Sequence, residues 1–484
     1  MLFNSFFYLL IFLPVTIGFY FWLNSKRLII IANIWLVGAS LFFYAFMKIA
    51  FLPVILVSIL VNYVLGILLS EKTAPCTSYS GKGWPSPKTI LKLGILFNVG
   101  LLGYFKYADF FVANVNSIFG SMIPLPEILL PLGISFFTFQ QIAYLVDRYY
   151  KRIRGKYDFL SYCLFVCFFP RLIAGPIVRH GEMMPQFLIL RNRFLNWRNV
   201  YSGLFLLGVG LFKKVVIAET FAVWANKGFV DPDSLNFLSS WATSLSYTVQ
   251  LYFDFSGYTD MAIGSALFLN IKLPQNFNAP YRSLNIQDFW RRWHMTLGHF
   301  LRDYIYIPLG GSRKGPVRVY LNLFLTFFIA GIWHGTGWTF ALWGALHGLA
   351  LCMHRFWSGL GLRMPKFLAW ALTFLFVNAA WVVFRAESIP KAISILGHMI
   401  DARSMSWATL SPSLMVKASG IPVYLIGLLF ISVFQDTVFR TTQEWASKLR
   451  PGIWWSLVAA SAFVVSFVLL MNQNRFSEFI YFQF

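Results

Sequence analysis

Four of the seven histidines in this 484-residue chain, His294, His299, His334 and His347, fall between Asp288 and Gly348. That stretch begins DFWRRWHMTLGHFLRDYIYIPLGGSR and, after one apolar segment, continues AGIWHGTGWTFALWGALHG. His334 ends the apolar run YLNLFLTFFIAGIWH, where an ionisable side chain is costly unless it is used. A helix rising 1.5 Å per residue carries the chain roughly 21 Å from Tyr320 to His334, short of the hydrocarbon thickness of about 30 Å. Gly335 and Gly337 then break it, so His334 sits where the floor of a cavity would lie. Imidazole at such a place can deprotonate an attacking hydroxyl. An interior histidine bonded to a backbone carbonyl would leave the same pattern, and spacing alone does not separate the two.

His294 follows Trp290, Arg291, Arg292 and Trp293. It is placed either to position or polarise a carbonyl, to assist proton transfer, or simply to pack between tryptophans at an interface. Arg302 and Asp303 on one side, and Trp333 and Gly335 beside His334, complete the candidate surroundings of the site. A second polar group lies upstream in VQLYFDFSGYTDMAIG, with Gln250, Asp254, Ser256, Tyr258 and Asp260 inside an apolar run. Carboxylates there must be paired or solvated. They either line a polar channel or lock onto basic groups, and Arg291 and Arg292 are the partners expected. No His or Cys spacing fits a metal site, and no G-x-S-x-G elbow or P-loop is present. No permanently bound cofactor is expected.

The elements that hold these residues are membrane helices. Hydrophobic residues make up 58% of the chain and charged ones 12%, against about 25% charged in soluble proteins. The net charge of +22 sits in short loops between apolar runs, which marks topology and lipid contact rather than nucleic-acid binding. Apolar segments fall at residues 3–23, 28–47, 51–70, 90–105, 128–147, 159–176, 201–218, 237–269, 319–333, 338–355, 367–385, 421–435 and 454–471. The first lacks a basic leader and a cleavage site, so a retained helix is expected there. The four cysteines match no redox or zinc spacing. Basic residues alternate from rich to poor along the early loops, which predicts a periplasmic N-terminus. Residues 272–318 are too polar to span and too aromatic for a free loop. They are expected as amphipathic or re-entrant helices on the cytoplasmic side. No internal repeat is visible. A single domain over 1–484 is expected, with its active core at about 245–350.

FWRRWH, LRDYIYIPLGGSR and WHGTGWTFALWGALHG resemble the membrane-bound O-acyltransferase family, in the bacterial branch that O-acetylates alginate. LPLGISFFTFQQIAYLVDRY, FFPRLIAGPIVR, FKKVVIAET, YFDFSGYTDMAIG and NFNAPYRS extend the resemblance from Met1 to about Glu387. It implies a ring of roughly a dozen transmembrane helices around a central funnel. It also implies transfer of an acyl group, here acetyl, from a cytoplasmic thioester (acetyl-coenzyme A or an acyl carrier protein) toward a periplasmic acceptor. The family's WHG histidine maps onto His334 and its second active-site histidine onto His294. The implied setting is a bacterial inner membrane, with a periplasmic acetyltransferase or acceptor protein as partner and an exopolysaccharide such as alginate modified indirectly. Relatives acylate peptidoglycan or teichoic acid with the same fold. His299 and Glu219 depart from the family pattern. Two readings from other classes are a polysaccharide exporter, which would need no particular imidazole, and a scaffold for a periplasmic enzyme.

Overall fold

The computed structural model describes residues 1–72, 85–153, 158–405, 441–448, 452–472 and 479–480. Every regular element among them is a helix. Seven of these helices are long and apolar enough to cross a membrane: Tyr8–Ser25, Ile49–Ser70, Pro87–Phe119, Trp197–Val230, Pro316–His334, Lys366–Arg385 and Trp454–Met471. Their outer faces carry large apolar side chains such as Leu96, Ile118, Val317, Phe367 and Trp454, all well exposed, as helices facing hydrocarbon must be.

Several expected segments are rearranged. The segment at 90–105 is part of the helix Pro87–Phe119, which runs on through a π-helical turn at Gly103–Tyr107. The expected segment at 159–176 is broken. It folds as Phe159–Cys167 and a single turn Phe169–Leu172, because Pro170 interrupts the hydrogen-bond ladder and opens a new turn at its first positions. Residues 237–269 form one uninterrupted helix, Phe237–Phe268. The segment at 421–435 lies outside the described residues.

The described chain divides into two compact units. The first comprises Met1–Leu204 with Ala262–Pro274, the second Phe205–Met261 with Gln275–Phe484. In the first, buried amides cross-link helices: Asn98 Nδ2 donates to Asn62 Oδ1 at 2.6 Å, and Asn62 Nδ2 returns a bond at 3.2 Å. Gln141 Nε2 donates to Ser58 Oγ at 2.7 Å, and the Tyr162 hydroxyl donates to Gln141 Oε1 at 3.0 Å.

In the second unit the helices Pro316–His334 and Trp338–Gly359 form a hairpin zipped by glycine. A Cβ on Gly331 would lie 2.7 Å from Gly344 Cα, and one on Gly344 would lie 2.6 Å from the Phe327 carbonyl. Only glycine permits this approach, and small residues at membrane helix contacts serve this purpose generally. The short link between the two helices fixes His334 at the hairpin tip. There a Cβ on Gly335 would strike the ring of Phe340. Residues 272–318 fold into short pieces, among them Ile286–Arg292 and Met295–Leu301. Seven residues rise only about 10 Å, so neither piece can span a bilayer.

Candidate active site

His294 lies at the junction of Ile286–Arg292 and Met295–Leu301 with left-handed backbone, φ 44°. A non-glycine residue there is strained and persists only where its surroundings hold it. The segment 275–279 does so. Asn278 N donates to the Arg292 carbonyl at 2.9 Å, and Met295 N donates to the Asn276 carbonyl at 2.9 Å. The side chain of Asn276 adds a third tie. Its Oδ1 accepts from Thr296 N at 3.4 Å and from Thr296 Oγ1 at 2.6 Å, and lies 3.3 Å from His294 Nδ1.

The Thr296 amide can only donate, so this atom of Asn276 is the carbonyl oxygen. His294 Nδ1 therefore carries the proton, and Nε2 carries the lone pair. That Nε2 is buried with no hydrogen-bond partner among the described residues. Burial pushes the imidazole down to about 3, so it is neutral across the physiological range. The arrangement has the parts of a proton acceptor: an oriented imidazole whose outer nitrogen is available. It does not suit a donor to a carbonyl oxygen, one of the roles open from sequence.

His334, 5% exposed, is packed edge-on against Trp343 at 5.1 Å and Phe384 at 5.4 Å, with Trp333 at 4.9 Å. Trp343 stacks on Trp381 at 5.8 Å, and Trp381 meets Trp293, the neighbour of His294, at 5.0 Å. On its own side His294 faces the ring of Phe255 at 4.8 Å. The two histidines thus belong to one aromatic assembly, reached from different elements.

The remaining expected residues divide clearly. Trp290 is buried and donates through Nε1 to His347 Nδ1 at 3.2 Å, while its ring meets Trp343 at 5.7 Å. Trp293 is fully buried and stacks on Phe289 at 5.7 Å. Both tryptophans, with Trp333 and Gly335, join the aromatic assembly. Arg291 points outward and is exposed. Arg292 pairs with Asp288 at 2.9 Å and donates to the Asn278 carbonyl at 3.3 Å, which braces the His294 junction from behind. Exposed Arg302 forks onto Asp303 at 2.8 and 3.1 Å.

The buried carboxylates are paired, but not with the arginines expected from the sequence. Asp254 lies 2.5 Å from Lys214 Nζ and accepts from Ile480 N at 2.7 Å. Asp260 lies 3.0 Å from Lys213 Nζ and accepts from Gln443 Nε2 at 3.2 Å. Lys213 also donates to Thr442 Oγ1, and Lys214 reaches Glu219 at 3.0 Å. The reason is a close helix crossing: Cβ atoms on Gly210 or Gly257 would lie 2.7 Å from the other's carbonyl oxygen. That approach sets consecutive lysines against the carboxylate-bearing helix. Tyr258 stacks on Phe479 at 4.4 Å. Gln250 Oε1 and Ser256 Oγ are buried without a partner among the described residues.

Sequence reasoning overlooked Asn276, Lys213 and Lys214 as members of this region. Two adjacent lysines in an apolar run carry the same signal as the carboxylates, and the cost of burying charge would have found them.

Residues 145–389 match the membrane-bound O-acyltransferase family. The chain is 49% identical to a peptidoglycan O-acetyltransferase of Helicobacter pylori, over 85% of this chain and 82% of that protein. It is 36% identical to a probable alginate O-acetylase, AlgI, of Pseudomonas putida over the full length of both. A teichoic acid D-alanyltransferase of Bacillus subtilis is 26% identical over 53% of this chain and 69% of that one.

Proposed function

The chain belongs to the membrane-bound O-acyltransferase family, and from that premise we propose that it moves an acetyl group from a cytoplasmic thioester to an acceptor outside a bacterial inner membrane. The product of the route is an O-acetylated envelope polysaccharide. Peptidoglycan is supported as that polymer by the 49% identity to the Helicobacter pylori enzyme. Alginate is the second reading, favoured by the match over the whole length of the Pseudomonas putida protein. The donor is acetyl-coenzyme A or an acyl carrier protein, and the basic loops would suit either anion. A periplasmic acetyltransferase or acceptor protein takes the group onward. Residues 1–484 act as one membrane-embedded domain, with roughly a dozen spans ringed around a funnel as the family resemblance implies.

The observation that carries the chemistry is the His294–Asn276 pair: a buried imidazole with a fixed tautomer and an available Nε2. In the reaction His334 takes the proton of the acceptor hydroxyl while its oxygen attacks the thioester carbonyl. His294 Nε2 accepts a hydrogen bond from a linking water, whose second proton is donated to the hydroxyl oxygen and steadies the nucleophile. As the C–S bond breaks, the His334 imidazolium returns the proton to the thiolate. Asn276, Thr296 and Arg292 hold His294 in place.

Labelled acyl transfer in isolated membranes tests this. His334→Ala and His334→Gln should both lose most activity, within the 10²–10⁴-fold range of general-base assistance, while expression stays near wild type. Gln keeps volume and hydrogen bonding but not basicity. A His334→Gln enzyme with near-wild-type turnover would remove the base. Transfer unaffected by changes at either His334 or His294 would favour an exporter.

A further inference from the structure

In the first unit a short link joins the helix His180–Leu188 to the spanning helix that starts at Trp197. From Leu188 to Arg198 it reads LILRNRFLNWR. Leu188, Ile189, Leu190, Phe194, Leu195 and Trp197 are all exposed, Trp197 by 75%. Arg191 and Arg198 are exposed among them. A loop that meets water carries mostly polar side chains, and large apolar groups exposed together mark an interaction surface.

This exposure does not come from a slack chain. Buried Asn270 donates through Nδ2 to the Asn192 carbonyl at 3.0 Å and to the Phe194 carbonyl at 2.7 Å. Asn199 Nδ2 donates to Asn270 Oδ1 at 2.8 Å. Asn192 Nδ2 donates to the Gln186 carbonyl at 2.8 Å, and the Gln186 side chain exchanges two bonds with the Lys272 backbone, at 3.0 and 2.8 Å. The Ile189 carbonyl accepts from Asn192 N at 3.0 Å, and the Arg191 carbonyl from Phe194 N at 3.4 Å. Asn196 Oδ1 accepts from Arg198 N at 3.1 Å and Asn199 N at 3.4 Å, capping the spanning helix. Side-chain amides thus take the place of water around this irregular backbone. Polar main chain at membrane depth must be satisfied in that way.

Among the described residues, no span separates this link from the basic loop that follows Tyr149. The pieces Phe159–Cys167, Phe169–Leu172 and His180–Leu188 have at most nine residues. Nine residues rise only about 14 Å, too little to cross. The link therefore lies on the side of Arg148, Lys151 and Arg152, which the alternation of basic loops makes cytoplasmic.

We propose that residues 188–198 seat in the cytoplasmic leaflet, with their apolar side chains among the acyl chains and Arg191 and Arg198 on the phosphates of anionic phospholipid. The link runs straight into a spanning helix, and Trp197 stands at that boundary, where tryptophan is enriched. Arginine stems lie along apolar surface while their guanidiniums reach the headgroups, and the leaflet's negative charge complements them. An acidic protein would match the charge too, but it would not require a main chain already satisfied from within. The surface stands whether or not His334 is the base.

The test uses the full-length protein in a cysteine-free background, with bimane attached through Leu190→Cys. It is reconstituted in vesicles of phosphatidylcholine and phosphatidylglycerol, with a doxyl quencher on the acyl chain of one lipid or the other. Doxyl lipid should quench the bimane and aqueous iodide should not. At equal doxyl content, phosphatidylglycerol should quench about twofold or more above phosphatidylcholine. Arg191→Gln together with Arg198→Gln should bring the two lipids level while quenching persists. A label placed through Phe194→Cys should repeat each result. Iodide quenching without doxyl quenching overturns the proposal. So does an iodide-exposed label that an added acidic acyl carrier protein then shields, which gives the surface to a protein. Equal quenching by the two lipids with both arginines present, or an excess that survives their removal, overturns the phosphate contact.

Discussion

Asn276 Oδ1 lies 3.3 Å from His294 Nδ1, and the same oxygen takes both hydrogen bonds of Thr296. One amide therefore fixes the tautomer of the imidazole and the backbone that carries it. Asn276→Ala should lower turnover by about tenfold or more, a sizeable share of what proton-transfer assistance is worth. Asn276→Asp keeps an acceptor but places a carboxylate beside the ring, which raises the pKa of His294 from about 3. The acidic limb of the pH–rate profile should then move to higher pH. A profile identical to wild type would show that the amide serves packing alone.

The Lys213–Asp260 and Lys214–Asp254 pairs are almost wholly buried, with side chains no more than 6% exposed. Removing one partner strands a charge, so Lys213→Met should destabilise the protein by about 3–5 kcal/mol. The double variant Lys213→Met with Asp260→Leu should recover much of that loss. A double-mutant cycle on thermal unfolding in detergent reads it, and additive losses would mean that the pair is not coupled.

The titration of His294 also enters stability. Its folded value is about 3 and the ordinary value about 6.5, so the unfolded chain binds the proton more readily. Its contribution is complete above about pH 6.5 and is lost as pH falls toward 3, at up to about 1.4 kcal/mol per pH unit. His294→Gln cannot titrate, so its unfolding midpoint should fall less steeply than that of wild type between pH 6.5 and 4. Parallel curves would contradict burial of a neutral imidazole.

Orientation is tested by labelling single cysteines in a cysteine-free background. With the N-terminus outside, a cysteine at Ser121 should react with an impermeant maleimide in intact cells, and one at Ser312 should be protected until the membrane is opened. The reverse pattern would invert the assigned topology and with it the side from which the donor enters.

The amino-acid sequence by itself determined the helical membrane character, the run of family motifs and the two histidines worth testing. Those properties are local or additive: hydropathy accumulates over about 20 residues, and a motif is contiguous in the chain. The residues around each histidine were legible for the same reason, since Trp290, Trp293, Trp333 and Gly335 lie within a few positions of them. Partners were a different matter. Asp254 is slightly closer in sequence to Arg291 and Arg292 than to Lys214, yet it binds Lys214 because Gly210 and Gly257 let two helices touch. Asn276 stands 18 residues from His294 and fixes its tautomer. Arg171 reads as one more basic residue until its burial is known. A buried charge or an oriented ring depends on which surfaces pack together in space, and that was decided only when the chain folded.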